Sequence, residues 1–335
     1  MVGKMKKRIL LLIISLMVVM TGCGARQIES KNELLVQEES FINAEIECVQ
    51  DENINENVEI NGKTGWNITK YENLEEIISI HMLNLKEEGL NGTSDTYKIV
   101  YQSDECQVVA YLSIPRECIE KQASYPCVIF NRGGNRDYGA NKAVDIAAMS
   151  EGLNMVVIAS QYRGVSGGTG KDEFGGSDVR DVTKLIDLCQ EFSFVDKEQL
   201  YMMGVSRGGM MTYMACRNES RIKRAVIISG IADAVNSYNS REDMKGIFNE
   251  LIGGKPEELV EEYEKRSAVC WADEIECPLL IIHSKLDEKV DFSEAEAMVK
   301  ALDEAGKEYR FISYEDNVHG MHMEDTSVIM EWFNK

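Results

Sequence analysis

One short segment of the sequence has the residue types of a catalytic nucleophile. Residues 204–208 read Gly-Val-Ser-Arg-Gly, a G-x-S-x-G pattern. An apolar run ends at Gly204 and a helix-like run begins at Met210, so the pattern falls where a strand would turn into a helix. Glycines let the two elements approach closely, so that a serine can project from a strained turn. We predict that Ser206 is a nucleophile, and an ordinary glycine-rich turn is the alternative.

A nucleophilic serine needs a base, and the sequence offers few candidates. The histidines are His81, His283, His319 and His322. In enzymes whose nucleophilic serine lies on a strand-to-helix turn, the catalytic residues follow the chain order serine, acid, base. In that order His81 comes too early, because it precedes Ser206, and His283 precedes Asp287, the best candidate for the acid. His319 is favoured because Gly320 follows it, in a predicted loop between the last strand and the last helix. His322 is the weaker candidate, since it lies at the predicted start of that helix.

The base in turn needs a carboxylate that orients it. Asp287 follows a predicted strand at 279–283, and catalytic groups lie at the carboxyl ends of strands in open α/β sheets. Glu288 is the competing acid, and its side chain should point away if that of Asp287 points inward. A solvated turn aspartate is the alternative interpretation of Asp287.

The negative charge that develops on an attacked carbonyl needs two N–H donors. One should be the backbone N–H of Arg207, directly after the serine. The other should come from the glycine turn at 131–135, which reads Asn-Arg-Gly-Gly-Asn. We predict that Gly134 supplies this second donor, and Gly133 is the close alternative. A further alternative is that the two glycines form an ordinary turn without a catalytic role.

Strands and helices predicted around these residues alternate along the chain. Apolar runs predict strands at 97–101, 108–114, 127–130, 155–159, 200–203, 225–229, 279–283 and 309–314. Amphipathic spacing predicts helices at 71–90, 140–150, 179–191, 293–305 and 321–333. This alternation indicates an α/β fold with a mostly parallel sheet covered on both faces. Charged helical stretches at 231–272 interrupt it and predict a small cap-like insertion.

Taken together, these motifs resemble one known family. The segments of this sequence that carry the resemblance are 131–134, 161–168, 174–178, 204–209 and 278–290 with 317–320. They resemble the catalytic domain of the prolyl oligopeptidase family of serine hydrolases. The resemblance implies an α/β-hydrolase fold, with Ser206 as nucleophile, Asp287 as acid and His319 as base.

The sequence also departs from that family in three ways. We expect no room for the large β-propeller that filters the substrates of the family's peptidases. Arg132 stands where a histidine usually precedes the two glycines, and Ser284 follows His283 where a glycine is usual. The missing propeller puts oligopeptidase activity in doubt more than it does hydrolysis.

Two arginines near these motifs could bind a substrate carboxylate. They are Arg132 and Arg163. We expect them instead to hold loops by pairing with nearby acids such as Asp137 or Asp172.

Composition narrows the possible partners and cofactors. The formal net charge of −21 disfavours nucleic acid, because polyphosphate would be repelled. No cluster of histidines or cysteines has metal-ligand spacing, so we expect no metal, and the chemistry requires no organic cofactor.

The N-terminus has the pattern of an export signal. Basic residues precede an apolar run from Ile9 to Met20, and Met20-Thr-Gly-Cys23 resembles a bacterial lipobox. We predict a signal peptide at 1–22, a lipid anchor on Cys23 that holds the protein on the outer face of a bacterial membrane, and an acidic tether at 23–62. An uncleaved anchor or a plain secretory signal is the alternative. The catalytic domain is predicted at 63–335.

The cysteines that follow Cys23 could form disulfides in an exported protein. They are cysteines 48, 106, 118, 127, 189, 216, 270 and 277. Their spacing is irregular, and Cys127, Cys189 and Cys216 lie in apolar contexts typical of buried thiols.

These residues favour a serine hydrolase that cleaves an ester or amide bond through an acyl-enzyme, and its partner is expected to be a small-molecule ester or short peptide substrate. A peptidase for short peptides is one alternative. A non-catalytic surface lipoprotein that binds a ligand on a hydrolase fold is the alternative from another class.

Overall fold

The computed structural model describes residues 68–85 and 92–335. Its strands are β1 Ile77–Leu83, β2 Ser94–Ser103, β3 Cys106–Pro115, β4 Tyr125–Asn131, β5 Val156–Ser160, β6 Val195–Val205, β7 Arg224–Ile228, β8 Leu279–Ser284 and β9 Tyr309–Tyr314. The predicted signal peptide, the lipid anchor on Cys23 and the tether lie outside the described residues.

Within the described ranges all nine strands form one sheet, in the order β1-β2-β3-β5-β4-β6-β7-β8-β9. β1, β2 and β3 are antiparallel, and β3 is antiparallel to β5. From β5 onward every neighbouring pair is parallel. The predicted mostly parallel sheet is therefore present, and the carboxyl ends of β4, β6, β7 and β8 lie along one edge.

The α-helices connect and cover these strands. They are α1 Arg116–Lys121, α2 Ala143–Leu153, α3 Val179–Glu191, α4 Arg207–Ala215, α5 Ala234–Ser240, α6 Lys245–Leu251, α7 Val260–Lys265, α8 Phe292–Ala305 and α9 Asp325–Phe333. A 3₁₀ helix at Ile68–Asn73 precedes β1. Helix α9 begins four residues later than the spacing predicted, because residues 321–324 form the end of a loop.

Side chains on the two faces of the sheet belong to two separate cores. In β4, Cys127 and Ile129 pack in the core that contains α3, α4 and α8. Their neighbours Val128 and Phe130 pack in the core that contains α2 and α9. Successive side chains of β4 point to opposite faces of the sheet, and both faces are covered by helices. This explains why β4 reads as a continuous apolar run.

The prediction of a helix at 71–90 is wrong in the described part of that range. Residues 77–83 form β1, which pairs with β2 at the edge of the sheet. The register shifts between Ile77 and Ser79, so Ile77 and Ile80 are buried while Ile78 and Met82 are exposed. This irregularity produces a spacing of three between buried residues, which in sequence is indistinguishable from a helical period.

The segment between β7 and β8 is the one in which the sequence predicts an insertion. It holds α5, α6 and α7 and short 3₁₀ turns at Glu242–Met244, Ala268–Cys270 and Ala272–Glu274. Within it Tyr238 packs against Tyr263, and Phe248 packs against Phe174 of the loop before α3. The charged stretch is therefore anchored by an apolar interior.

Candidate active site

Ser206 occupies a sharp turn between β6 and α4. Its backbone has φ 58° and ψ −123°, a positive-φ conformation that a residue with a side chain seldom adopts without support. A Cβ on Gly204 would lie 2.0 Å from the carbonyl oxygen of Gly208, and one on Gly208 would lie 1.9 Å from that of Asn131. Only glycine fits at both positions, so the pattern in the sequence reflects close packing around the serine.

Asp287 and His319 form a hydrogen-bonded pair. Nδ1 of His319 lies 2.8 Å from Oδ2 and 3.1 Å from Oδ1 of Asp287. Oδ1 also accepts the backbone N–H groups of Lys289 at 2.8 Å and Val290 at 3.2 Å. Because an ionised carboxylate only accepts, Nδ1 of His319 carries the proton and Nε2 is left with a lone pair. This tautomer is the one that a general base requires.

Asp287 is held in its ionised form although it is buried. Burial opposes ionisation, but hydrogen bonds from His283 and His319 and the attraction of His319 outweigh it, and the pKa of the carboxyl lies well below its usual range. Nε2 of His283 donates to the carbonyl of Val290 at 2.9 Å and lies 3.4 Å from Oδ2 of Asp287. Asp287 is thus flanked by two imidazoles, of which sequence reasoning used only one.

The loop that carries His319 is tied to the strand beside the serine. The N–H of Gly320 donates to Oγ of Ser229 at 3.3 Å. Ser229 directly follows Ile228, whose carbonyl accepts the N–H of Ser206 at 3.0 Å. Ser206, Asp287 and His319 thus follow the carboxyl ends of β6, β8 and β9, which belong to the same parallel part of the sheet.

The competing residues have other surroundings. His81 is exposed on β1, and Glu288 is exposed while Asp287 is buried. His322 lies with Nε2 3.0 Å from the carboxylate of Asp316, and its ring stacks on Tyr314 at 3.8 Å between centroids. The structure therefore brings His319, and not His322, to Asp287.

The glycine turn after β4 borders the serine. A Cβ on Gly133 would lie 3.2 Å from Cβ of Ser206, and one on Gly134 would lie 2.0 Å from the carbonyl oxygen of Tyr138. Nη1 of Arg132 donates to the carbonyl of Gly133 at 3.0 Å. Since the peptide is trans, the N–H of Gly134 points away from Arg132. Gly133 lies nearer the serine, and both glycines remain candidates for the second donor.

The first turn of α4 offers the other predicted donor. The N–H of Arg207 belongs to the first turn of a helix, where backbone N–H groups have no intrahelical acceptor. The positive end of the helix dipole also lies there and favours negative charge beside Ser206.

The side chain of Arg207 has a role that sequence reasoning missed. Its buried guanidinium donates to Asp172 through two hydrogen bonds of 2.7 and 2.8 Å and also bonds Asp178. Burial opposes its charge, but these carboxylates raise the pKa of the guanidinium above its ordinary value. It lies over the rings of Tyr162 and Phe174. The sequence signal that could have indicated this role is Asp178, the acidic residue that ends the segment at 174–178.

The predicted acid partners of Arg132 and Arg163 are wrong. Arg163 pairs with Asp181 at 2.7 Å and with Asp104 at 2.9 Å. Asp172 pairs with Arg207 instead, and Arg132 donates to backbone carbonyls. Both arginines hold loops as expected, through partners that the sequence did not indicate.

The described residues contain neither a candidate metal site nor a candidate membrane-spanning helix. No group of three or more histidine, cysteine, aspartate or glutamate side chains at 68–85 and 92–335 could hold a metal ion. In the same ranges no helix combines the length and the apolar character needed to cross a membrane. The cysteines found there are free, and Sγ of Cys127 lies 3.8 Å from that of Cys189.

Comparison with known proteins identifies the family. The model of the prolyl oligopeptidase family matches residues 141–335. The chain belongs to the prolyl oligopeptidase family. It is therefore a serine hydrolase with an α/β-hydrolase fold, as the sequence motifs predicted.

Relatives of this family member differ in length. The uncharacterized peptidase YtmA of Bacillus subtilis is 29% identical over 63% of this chain and 80% of its own. YuxL of the same organism is 25% identical over 80% of this chain and 44% of its own. Dipeptidyl-peptidase 5 of Porphyromonas gingivalis is 24% identical over 65% and 33%. The chain thus spans less than half of the two longer relatives.

Solved structures show the same fold at lower identity. Acylaminoacyl peptidase of Pyrococcus horikoshii superposes with a TM-score of 0.63 at 21% identity, over 75% of this chain and 42% of that one. Acetyl xylan esterase from Paenibacillus sp. R4 superposes with a TM-score of 0.60 at 17% identity, over 76% and 87%. The fold is thus common to proteins with different names and lengths.

Proposed function

We propose that this serine hydrolase cleaves an ester or amide bond through an acyl-enzyme formed on Ser206. The observation that carries the proposal is the hydrogen-bonded pair of Asp287 and His319, in loops beside the strained turn of Ser206. A buried, ionised carboxylate fixes the tautomer of the imidazole, which is what a general base for serine needs.

In the proposed reaction Nε2 of His319 takes the proton of Ser206 as Oγ attacks the carbonyl carbon. The imidazolium is stabilised by Asp287, and it returns the proton to the leaving group when the bond to that group breaks. Water, deprotonated by His319, then attacks the acyl-enzyme, and His319 returns that proton to Oγ of Ser206 as the bond between Oγ and the acyl group breaks. The N–H groups of Arg207 and Gly134 hold the oxyanion in both steps.

The substrate class that we propose is a small ester, with a short peptide as the second candidate. The second candidate is favoured by the family relatives, one of which is named a peptidase and another a dipeptidyl-peptidase. Parallel assays on p-nitrophenyl acyl esters and aminoacyl nitroanilides separate the two candidates. A higher kcat/KM on the esters would support the small ester, and a higher kcat/KM on the nitroanilides would support the short peptide. The comparisons give the non-catalytic alternative no support.

Export and lipid anchoring through Cys23 are a further part of the proposal. They rest on the basic and apolar residues before Met20-Thr-Gly-Cys23. Incorporation of a labelled fatty acid into the wild type, and its loss in Cys23→Ser, would support the anchor. A wild-type chain without label would overturn it.

The nucleophile can be tested by covalent labelling. A fluorophosphonate probe should label the wild type, and Ser206→Ala should lose the label together with nearly all activity, a drop of roughly a million-fold in kcat. Ser240→Ala, which removes an exposed serine of the insertion, is the control and should label fully. Equal labelling of Ser206→Ala and the wild type would disprove the mechanism.

A further inference from the structure

The most unusual charged group near the site is the guanidinium of Arg132. It is 1% exposed, and its hydrogen bonds go to backbone carbonyls. Nη1 donates to Gly133 at 3.0 Å and to Tyr138 at 3.3 Å, and Nη2 donates to Arg136 at 2.8 Å. All three carbonyls belong to the loop at 133–138, which begins with the two glycines beside Ser206.

The same guanidinium is fixed on its other side. Nε and Nη2 donate to the carbonyl of Gln161 at 3.2 and 2.9 Å, directly after β5. Its plane lies over the ring of Tyr162, 4.8 Å from the centroid, and the hydroxyl of Tyr162 donates to the carbonyl of Arg132 at 3.1 Å. Arg132 therefore links the glycine turn to the carboxyl end of β5 by hydrogen bonds.

The surrounding charges explain how a buried cation is tolerated there. Burial, and then the charge of Arg207, lowers the pKa of Arg132 to about 10, so it stays protonated at neutral pH. Arg207 with its partners Asp172 and Asp178 carries one net negative charge when both acids are ionised. The positive charge of Arg132 balances this net negative charge without a direct contact.

We propose that Arg132 is a positioning residue that sets the oxyanion turn. By holding the carbonyl of Gly133, it directs the N–H of Gly134 away from itself, and by holding those of Arg136 and Tyr138 it closes the turn. The proposal rests on the proposed function, because it supposes that a glycine N–H of this turn holds the oxyanion.

Other cations would hold the turn less well. A guanidinium is planar and offers five N–H donors in a fixed fork, which matches the number of hydrogen bonds that Arg132 makes. A lysine offers three donors from one point, and a histidine at most two. Arginine at this position is thus suited to gather several carbonyls of one turn.

The test uses four variants of the full chain, of which Arg132→Ala opens space for added guanidinium ion. Arg132→Met removes the donors, Arg132→Lys keeps the charge, and Arg163→Lys is the matched control, since Arg163 is a buried arginine that pairs with carboxylates away from the turn. For each, kcat and KM on one ester and the Tm are measured. We expect Arg132→Met to lose about 100-fold in kcat with KM little changed, because a misplaced oxyanion donor acts in the transition state.

A second measurement separates positioning from general stability. Guanidinium ion, added far below denaturing concentrations, should restore part of the kcat of Arg132→Ala and leave the kcat of Arg163→Lys unchanged. Arg132→Lys should fall between the wild type and Arg132→Met in kcat, and Arg163→Lys should lower Tm with kcat near the wild-type value.

Several outcomes would overturn the proposal. These are a wild-type kcat in folded Arg132→Met, a loss confined to KM, an equal loss of kcat in Arg163→Lys, absence of rescue, or failure of both Arg132→Met and Arg132→Lys to fold. Labelling of the wild type by a fluorophosphonate separates these results from a failure of the proposed function. If the wild type does not label at Ser206, the function itself is wrong.

Discussion

Asp287 and Glu294 are two buried carboxylates close together in the chain, but their ionisation is shifted in opposite directions. Both accept two backbone N–H groups. Asp287 accepts those of Lys289 and Val290, and Glu294 accepts those of Ala232 and Asp233. For Asp287 the pKa is lowered below its usual range, whereas burial raises the pKa of Glu294 to about 7.

The difference lies in the remaining partners. Asp287 is flanked by two imidazoles, and attraction to His319 favours its charge. Glu294 is bonded by the hydroxyl of Ser237 at 2.6 Å, and the carboxylate of Asp233 opposes its charge. Hydrogen bonds from neutral donors thus do not offset burial here, and the flanking imidazoles do. The first carboxylate can orient a base, and the second ties the insertion at α5 to α8.

The largest expected effect comes from removing the charge of Asp287. Asp287→Asn should lower kcat by about 10⁴-fold, because an amide can donate to Nδ1 of His319 and stabilise the wrong tautomer. Steady-state kinetics on one ester measure the loss. Glu288→Gln, which changes the exposed neighbouring acid, is the control and should keep activity. Comparable activity in Asp287→Asn and the wild type would remove Asp287 from the mechanism.

A smaller effect is expected from the second imidazole. His283→Phe keeps an aromatic ring against Phe292 but removes a donor beside Asp287, so kcat/KM should fall about tenfold, the size of one hydrogen bond to a charged group. His81→Phe, on the exposed face of β1, should be neutral. If His283→Phe keeps the wild-type kcat/KM with an unchanged Tm, a single imidazole is enough to hold Asp287.

Much of the site could be predicted because its constraints are local in sequence. Gly204 and Gly208 mark the turn of Ser206 through steric exclusion, and the order of acid and base along the chain selects Asp287 and His319 from several candidates. The α/β alternation was predictable for the same reason, since each buried strand of the parallel sheet reads as an apolar run.

The rest depends on contacts between distant residues. Asp172 and Asp178 meet Arg207 rather than Arg132, because the loop after β5 folds over the start of α4. A register shift made β1 look helical, and it is visible only once β2 is in place. Glu294 has the sequence context of an ordinary acid on an amphipathic helix. Its burial follows from the insertion that packs on it.

The smallest effect concerns Glu294 and appears in stability rather than in catalysis. Since its pKa is raised from 4.5 to about 7, the folded state binds the proton more tightly than the unfolded state does. The stability that this proton contributes is present below about pH 4.5 and falls as the pH rises toward 7. Glu294→Gln keeps a neutral side chain at every pH, so it should remove this decline.

The measurement is the difference in Tm between Glu294→Gln and the wild type across this pH range. The difference should grow in favour of the variant as the pH rises, with kcat near the wild-type value. Glu296→Gln, an exposed acid on the same helix, should show no such trend. A difference that is constant with pH would mean that the neutral donors around Glu294 do offset its burial. In that case the flanking imidazoles would not be what distinguishes Asp287.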